Sequence, residues 1–401
     1  MLTLDKVYHA RYVLKDAIRL TDIIHSYTLS KQCGCNVYLK TENLQTTGSF
    51  KVRGAYYKIS QLNDADKKKG VIACSAGNHA QGVALASQKF GIKAIICMPD
   101  GAPISKVEAT RSYGAEVVLV PGVYDDAHDE AERLRKEKGY TFIHPFDDDD
   151  VIAGQGTIGL EILEQLKDVD VIVAPVGGGG LISGLAFAAK SLNPNIRVYG
   201  VQAAGAPSMA NSLEQKKIIT LPSVSTVADG IAVKEPGKIT FDVCSKYVDG
   251  VVTVTDDEVS SAILMLIEKQ KMIAEGAGAV AVAGMLFNKI PDVAGKNVVC
   301  LVSGGNIDVT ILSRVINRGL LMSGRQCSLE IELMDKPGQL VRVIDIVARC
   351  GANVTTVLHE RTKGVTAING CSVKLQIETK DFEHIKLIHD ALAKAGFKVI
   401  D

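Results

Sequence analysis

A lysine that could act as a nucleophile lies in the segment TTGSFKVRG, residues 46–54. Lys51 stands between Phe50 and Val52, at the start of a stretch that predicts a helix up to Ile59. An amine in partly apolar surroundings loses its charge readily, and a neutral lysine can form a Schiff base with an aldehyde. Taken alone, a lysine in such a segment is more often a solvated residue of a capping turn.

Polar side chains cluster in a second segment, CSAGNHAQG at residues 74–82, between a predicted strand and a predicted helix at 83–89. Polar groups and free N–H groups at a strand-to-helix turn suit an anionic ligand such as a carboxylate. A simple helix cap is the alternative, but it requires only one such residue. Ser75, Asn78, His79 and Gln81 together therefore favour a binding site.

Four consecutive glycines, Gly177, Gly178, Gly179 and Gly180, follow an aliphatic run at 169–176 and precede Leu181. Successive glycine N–H groups at the start of a helix form a concave site for an anion. A purely structural role is disfavoured because four glycines cost substantial backbone entropy. The segment matches neither the P-loop nor the dinucleotide fingerprint, so it predicts a cradle for the phosphate of a small cofactor.

A fourth candidate, Ser303, begins the segment SGGN after the aliphatic run at 298–302. Its hydroxyl could hydrogen-bond a neutral ligand atom. In isolation, a plain strand-ending turn is the better interpretation. The serine gains weight only in combination with the other three segments.

Elements of two kinds alternate along residues 36–320 and must position these segments. Short aliphatic runs predict strands at 36–40, 70–74, 93–98, 116–120, 169–176, 198–201, 251–254 and 298–302. Amphipathic stretches between them, such as 125–137 and 256–272, predict helices. Nearly continuous aliphatic strands that alternate with helices indicate an α/β fold with a parallel sheet covered on both faces. A smaller lobe is expected at about residues 51–148.

The order of predicted strands and helices changes after residue 325. Strands are predicted at 328–334, 353–360, 371–379 and 398–400, with helices at 339–350 and 381–395. This βαββαβ order is a complete ferredoxin-like module. The sequence therefore predicts two domains, residues 1–325 and 326–401.

Composition excludes several classes of function. Lys and Arg total 45, as do Asp and Glu, so no basic surplus favours nucleic acid or an anionic membrane as a partner. The N-terminus lacks the apolar core of a signal peptide, and no uncharged run approaches the ~18–20 residues of a membrane span. We expect a cytoplasmic protein without nucleic-acid or membrane partners.

The segments SFKVRGA (49–55), SAGNHAQG (75–82) and GGGGL (177–181) occur in an order and spacing that is highly specific in combination. They resemble the fold-type II pyridoxal-phosphate enzymes, also called the tryptophan-synthase β family, and within it the threonine ammonia-lyases (threonine dehydratases). The resemblance covers essentially the whole chain. The C-terminal segment DKPGQL (335–340) is similar to the ligand-binding turn of an ACT domain. The resemblance thus implies a two-lobed catalytic domain with pyridoxal 5′-phosphate, followed by one regulatory ACT domain.

The resemblance also implies roles for individual residues. Lys51 would carry the cofactor as a Schiff base and then remove the Cα proton of the substrate. The other cofactor contacts would be Phe50 against the pyridine ring, Asn78 at the 3′-oxygen, Gly177, Gly178, Gly179, Gly180 and Leu181 around the phosphate, and Ser303 at the ring nitrogen. The substrate carboxylate would be surrounded by Ser75, Ala76, Gly77 and His79, with Gln155 reaching the same group.

Threonine is the substrate that the resemblance implies, with serine as a second one, and the products would be ammonia and 2-oxobutanoate or pyruvate. Serine racemases of the family usually have a serine at the position of Ala76, and this alanine cannot carry a proton. They also bind a divalent metal through carboxylates in the stretch that corresponds to 202–208, which has none here. We therefore expect no metal site there. A racemase, another β-eliminating enzyme, or a non-catalytic amino-acid sensor remain the alternatives.

Regulation is expected from the C-terminal module. Its candidate effector residues are Asp335, Gly338 and Asn353, the last one from a facing subunit. The effector would be a small amino acid such as isoleucine or valine. Modules of this type commonly pack against a copy of themselves, which predicts a homodimer or homotetramer.

Overall fold

The structure, a computed structural model, describes residues 1–361 and 369–400. The chain divides into two compact units, Met1–Leu312 and Ser313–Asp401. The division falls inside the helix Val309–Met322, and the domain boundary at residue 325 stays a prediction.

The first unit contains ten strands and most of the helices of the described chain. Its strands are β1 (Ile23–His25), β2 (Asn36–Lys40), β3 (Val71–Cys74), β4 (Ala94–Pro99), β5 (Glu116–Val120), β6 (Thr141–Phe142), β7 (Val171–Pro175), β8 (Arg197–Ala203), β9 (Gly250–Val254) and β10 (Asn297–Leu301). Its helices are α1 (Leu4–Leu14), α2 (Tyr27–Cys33), α3 (Lys51–Ser60), α4 (Asp64–Lys69), α5 (Asn78–Phe90), α6 (Ile104–Ser112), α7 (Tyr124–Lys138), α8 (Asp149–Gln165), α9 (Gly180–Leu192), α10 (Ser208–Gln215), α11 (Lys238–Tyr247), α12 (Asp256–Met265) and α13 (Gly276–Leu286). Helix α14 (Val309–Met322) follows.

The larger sheet has the strand order β1-β2-β10-β7-β8-β9. All neighbours are parallel except β1, which pairs antiparallel with β2. The central strands β7 and β10 are buried almost throughout, because helices cover both faces of the sheet. The prediction of an α/β fold with a parallel sheet is confirmed, and the antiparallel edge strand makes this sheet mixed.

The smaller sheet has the order β5-β4-β3-β6, and all its strands are parallel. Its strands lie between Val71 and Phe142, inside the segment for which the sequence predicts a smaller lobe. Helix α5 packs against β3 and β4 with an almost entirely buried set of small side chains. The candidate segments at 75–82 and 177–181 therefore follow strands of two different sheets, β3 and β7.

The second unit contains a four-stranded antiparallel sheet. Its elements are β11 (Gln326–Met334), α15 (Gln339–Arg349), β12 (Asn353–Glu360), β13 (Gly370–Glu378), α16 (Phe382–Lys394) and β14 (Lys398–Ile400). The strand order is β12-β13-β11-β14, and a separate hydrophobic core lies between the sheet and the two helices. This is the predicted βαββαβ order of elements. Within residues 1–361 and 369–400, none of the helices has the length and hydrophobicity that a membrane span requires.

Candidate active site

Lys51 is the first residue of helix α3, and its position is set by the end of strand β10. The backbone N–H of Phe50 donates to the carbonyl oxygen of Ser303 at 3.1 Å. An isolated β-bridge between Ser49 and Gly304 adds a second connection to the same strand end. These contacts place the lysine and the segment that follows β10 side by side, although 252 residues separate Lys51 from Ser303 (303 − 51).

A cavity of about 690 Å³ lies at the carboxyl ends of strands from both sheets of the first unit. Open α/β sheets characteristically bind their ligands at this edge. The predicted residues that line the cavity are Phe50, Lys51, Ser75, Ala76, Gly77, Asn78, His79, Gly177, Gly178, Gly179, Gly180, Leu181 and Ser303. The structure therefore brings all four motifs of the sequence to one site.

The ε-amino group of Lys51 points into this cavity and has few polar partners. Its Nζ donates to the carbonyl oxygen of Pro145 at 3.0 Å and lies 5.4 Å from the centroid of the Phe50 ring. Burial lowers the pKa of Lys51 to about 8, an effect that the charge of Glu275 partly opposes. A substantial fraction of this amine is therefore neutral, and nucleophilic, near neutral pH.

Two histidines beside Lys51 are neutral. His79 donates its Nε2–H to the carbonyl oxygen of Ile143 at 2.8 Å, and burial lowers its pKa to about 3. Burial likewise lowers the pKa of His144 to about 4. The Nδ1 of His144 accepts hydrogen bonds from the backbone N–H groups of Phe146 and Asp147, at 3.2 and 2.7 Å. Neither histidine therefore adds a positive charge that could repel the Lys51 ammonium or bind a carboxylate.

Asn78, at the start of helix α5, belongs to a chain of polar contacts. Its Nδ2 donates to the carboxylate oxygen of Glu275 at 2.6 Å, and its Oδ1 accepts from Nδ2 of Asn306 at 2.8 Å. The same Asn306 nitrogen donates to the carbonyl oxygen of Thr47 at 2.7 Å. The orientation of the Asn78 amide is therefore fixed from both sides.

The glycine segment admits no side chains. A β-carbon added at Gly178 would lie 2.5 Å from the Phe146 ring, and one at Gly180 would lie 2.8 Å from the Phe146 backbone. Gly179 has a φ of +97°, in the left-handed region that favours glycine. The Gly178 carbonyl accepts from Oγ1 of Thr240 at 2.6 Å, so the N–H on the other side of that peptide points away from Thr240. No side chain caps helix α9, whose N-terminal end is therefore open to an anion.

Ser303 is buried at the cavity wall, directly after strand β10. Its hydroxyl donates to the carbonyl oxygen of Ala277 at 3.3 Å. The contact holds the side chain beside the start of helix α13, and the hydroxyl proton would turn from Ala277 to a ligand for Ser303 to donate to a ring nitrogen. The position fits the predicted neutral partner of a ring nitrogen.

Gln155, like Gln81 of the second segment, is a predicted residue of the first unit that does not line the cavity. It lies on helix α8 and is 1 % exposed, packed beneath helix α3. A β-carbon added at Gly54 would lie 2.5 Å from its Nε2, which shows how closely the two helices approach. The Gln155 Oε1 has no hydrogen-bond partner among the described residues, and contact of Gln155 with the substrate carboxylate stays a prediction.

The effector residues predicted in the second unit do not meet within one copy. Asp335 and Gly338 follow strand β11 at the sheet end where Met334 pairs with Gly370. Asn353 lies at the opposite end, where it pairs with Glu378 and donates to its carboxylate at 3.0 Å. Gly338 has a φ of +88° and precedes helix α15. A site that combines all three residues requires a second copy.

One group of side chains in the described part of the chain has the spacing of metal ligands: the ligand atoms of Asp335, His359 and Cys371 lie within 4.8 Å of one another. The Asp335 carboxylate is already paired with the Arg361 guanidinium at 3.1 Å. A cation would have to displace this arginine. The group therefore carries no metal assignment, and the expectation of a metal-free protein stays a prediction.

Several cavity residues have no counterpart in the sequence analysis. Glu275 is 4 % exposed and contacts Asn78, yet it is a single acid among small residues without a local pattern. Phe146 is covered by the glycine segment. Lys106 pairs with Asp229 across the cavity at 2.6 Å, a contact between segments 123 residues apart. The one feature of the sequence that could have pointed to Glu275 is its place directly before the apolar helix Gly276–Leu286.

Comparison with known proteins places this geometry in a family. The model of the family described as pyridoxal-phosphate dependent enzyme matches residues 14–304. The chain belongs to this family. An L-threonine ammonia-lyase of Thermotoga maritima is 50 % identical over 399 residues, which cover 100 % of this chain and 99 % of the relative. The predictions of a pyridoxal-phosphate enzyme and of its cofactor are thereby confirmed.

Solved structures of the pyridoxal-phosphate family share the fold of the first unit. Threonine deaminase isoform 2 from Solanum lycopersicum is 41 % identical, with a TM-score of 0.75, and the match covers 79 % of this chain and 89 % of that one. Maize serine racemase is 36 % identical, also with a TM-score of 0.75, and the match covers 80 % of this chain and 98 % of that one. The prediction of the fold-type II architecture is confirmed.

The cavity fits pyridoxal phosphate on its own chemistry. An amine of lowered pKa, an open helix N-terminus behind glycines, and an aromatic ring at Phe50 supply partners for the aldehyde, the phosphate and the ring of this cofactor. When bound, the cofactor supplies an electron sink for the Cα–H bond of an amino acid. The residues of the chain provide its attachment and orientation.

Proposed function

We propose that the protein is an L-threonine ammonia-lyase that also deaminates L-serine. The observation that carries the proposal is the Lys51 amine, partly neutral near pH 8, in a cavity with the Ser75–His79 turn and the glycine segment. The identity of 50 % to an L-threonine ammonia-lyase over the full chain supports the choice of substrate. The reaction eliminates the β-hydroxyl and the Cα proton of threonine as water, and hydrolysis of the resulting enamine then yields 2-oxobutanoate and ammonia.

The roles of the residues follow from their places in the cavity. Lys51 attaches the cofactor and holds the proton that leaves Cα. Gly177–Gly180 and Leu181 bind the phosphate through backbone N–H groups at the start of helix α9. The turn from Ser75 to His79 binds the substrate carboxylate with N–H groups and the Ser75 hydroxyl, since His79 is neutral. Ser303 meets the ring nitrogen without a negative charge.

Steady-state deamination of threonine and serine tests the proposal directly. Lys51→Ala should abolish both activities, because the other two lysines that line the cavity, Lys106 and Lys234, are held in ion pairs with Asp229 and Asp125. Lys89→Ala, an exposed lysine of helix α5, is the matched control and should retain activity. A parent protein that binds the cofactor, seen by its absorbance, but deaminates neither amino acid would support the alternative of a non-catalytic sensor.

Serine racemisation is a second candidate, because maize serine racemase shares the fold at 36 % identity. Against it, Ala76 lines the cavity in the turn that faces the substrate and has no group that can carry a proton. A single base, Lys51, serves one face of Cα only. The discriminating measurement is the formation of D-serine from L-serine, which we expect to be negligible.

We further propose that the second unit is an ACT domain, residues 326–401 by the sequence boundary, and that it regulates the enzyme by binding isoleucine or valine. The turn from Asp335 to Gly338 precedes helix α15, whose first N–H groups suit an amino-acid carboxylate. Asn353 from a second copy would complete the site, which fits a homodimer or homotetramer. A cytoplasmic location is part of the same proposal.

Calorimetric titration of the full-length protein with isoleucine and valine tests this regulatory role. Gly338→Ala should weaken effector binding, because a side chain there strains a backbone at φ +88°. Gly351→Ala is the matched control, since Gly351 has a φ of +85° after the same helix and has equally open surroundings. Absence of binding by either amino acid would leave the unit with a role in assembly only.

A further inference from the structure

Glu275 occupies an unusual position for an acidic residue at a helix end. It is the N-cap residue of helix α13, but its side chain does not cap that helix. Its backbone N–H donates to the carbonyl oxygen of Gly304 at 3.0 Å, which fixes the residue beside the end of strand β10. The carboxylate is instead turned into the cavity, where it accepts a hydrogen bond from Asn78.

The surroundings of the carboxylate leave it no direct cationic partner among the described contacts. Its hydrogen-bond partner, the Asn78 amide, is neutral, and a β-carbon at Gly304 would lie 2.2 Å from its Oε1. The charged groups that act on it are Lys51, Lys106 and Asp229. Burial raises the pKa of Glu275 to about 7, and Asp229 adds to this effect while Asn78 and the two lysines oppose it.

The contact also determines what Asn78 can offer a ligand. Asn306 holds the oxygen of the Asn78 amide, and Glu275 holds one of the two hydrogens on its nitrogen. One N–H remains, and its direction is fixed by the other two contacts. The phenolic oxygen of pyridoxal phosphate is the acceptor that the family resemblance of the sequence implies for this residue.

We propose that Glu275 is a positioning residue for the bound cofactor, which orients the Asn78 amide and stabilises the protonated form of the cofactor–Lys51 linkage through its negative charge. The inference rests on cofactor attachment at Lys51, but not on the identity of the substrate. A buried carboxylate stabilises a neighbouring positive charge more strongly than an exposed one, because the cavity screens the interaction poorly. Glu275 thereby influences both the orientation of the bound cofactor and the protonation of the cofactor–Lys51 linkage.

The test is a pH titration of the absorbance of the bound cofactor in the substrate-free holoenzyme. Glu275→Gln removes the charge but retains an oxygen that can accept from Asn78. We expect its titration midpoint to fall by about one pH unit or more, since loss of a nearby opposite charge shifts a pKa by ~1–3 units. Glu275→Asp, which keeps the charge, should remain closer to the parent. Glu214→Gln, at an exposed position on helix α10, makes the same chemical change away from the cavity and should leave the midpoint in place.

A second measurement tests the route through Asn78. Cofactor affinity is compared for Glu275→Ala, Asn78→Ala and the double variant, with circular dichroism as the check of folding. If Glu275 acts in part through Asn78, the double variant should lose less affinity than the sum of the losses in the two single variants. An unchanged midpoint in Glu275→Gln, or strictly additive losses of affinity, would overturn the proposal. Absence of threonine deamination, in contrast, would contradict only the proposed function.

Discussion

The ε-amino group of Lys51 donates to the carbonyl oxygen of Pro145 at 3.0 Å, although 94 residues separate the two in sequence. A carbonyl oxygen accepts a hydrogen bond from either protonation state of the amine, so it orients Lys51 without holding its charge. The pKa of Lys51 therefore reflects burial first and the more distant Glu275 second. This explains how a lysine can be both well positioned and reactive.

The rate at which cofactor-free protein takes up pyridoxal phosphate should depend on this pKa. Because the pKa of Lys51 is lowered from 10.5 to about 8, the neutral amine increases about tenfold per pH unit below pH 8 and levels off above it. The second-order rate from stopped-flow absorbance should follow the same curve. A rate that still rises steeply between pH 9 and pH 10 would show that the pKa of Lys51 is not lowered. Lys51→Ala provides the background for non-specific reaction with other lysines.

Acid stability should depend on His144. Burial lowers its pKa from 6.5 to about 4, so the unfolded chain binds a proton at a higher pH than the native one. The free energy of unfolding is therefore constant above about pH 6.5 and falls between pH 6.5 and 4, by at most roughly 3 kcal/mol for this residue. His144→Asn keeps an acceptor for the two backbone N–H groups and cannot titrate.

Urea unfolding at a series of pH values measures this dependence on His144. The asparagine variant should have a flatter slope between pH 6.5 and 4, with the remainder due to His79, whose pKa is also lowered. His359→Asn, at an exposed position on strand β12, controls for the chemical change. Identical slopes in the parent and His144→Asn would rule out this assignment.

Global stability should depend on Arg53, which is 0 % exposed two residues after Lys51. Its guanidinium contacts the carboxylates of Glu42 and Glu161 at 2.6 to 2.9 Å, and Lys40 shares Glu161 at 2.7 Å. Arg53→Met would remove the guanidinium from the buried Glu42 carboxylate and leave Glu161 with Lys40 alone, at a cost of about 3–5 kcal/mol in the free energy of unfolding. Arg11→Met breaks only the exposed pair with Glu164 and should cost about 1 kcal/mol or less. Chemical denaturation measures both costs. Equal losses in the free energy of unfolding for Arg53→Met and Arg11→Met would contradict the importance of burial.

The motifs of the active site were predictable because each one is a continuous segment after an apolar strand. Carboxyl ends of parallel strands share one edge of a sheet, so Lys51, Asn78 and the glycine segment could be expected to meet there. The short strands β1 and β6 escaped prediction because three and two residues carry too little pattern. Strand ends elsewhere differ from the predicted ones by only a few residues.

Contacts that depend on packing between distant segments could not be predicted. Glu275 lies 197 residues from Asn78, and nothing in its neighbours shows that its side chain enters a cavity. Gln155 has a polar motif around it, but the close approach of helix α3 at Gly54 decides which way it faces. The role of Arg53 in a buried ion network is likewise invisible in the motif that contains it.

Reaction specificity should depend on Ala76, because this position separates one-base from two-base chemistry. Lys51 approaches Cα from one side, and Ala76, in the turn between β3 and α5, offers no proton acceptor. Ala76→Ser introduces a hydroxyl there, so D-serine should appear above the parent level when L-serine is supplied, while threonine deamination persists. Chiral chromatography measures both products in one sample. Ala80→Ser, a buried position of the same helix α5 outside the cavity lining, controls for the added hydroxyl. Substantial racemisation by the parent protein would show that a different group supplies the second proton and that Ala76 does not determine the outcome.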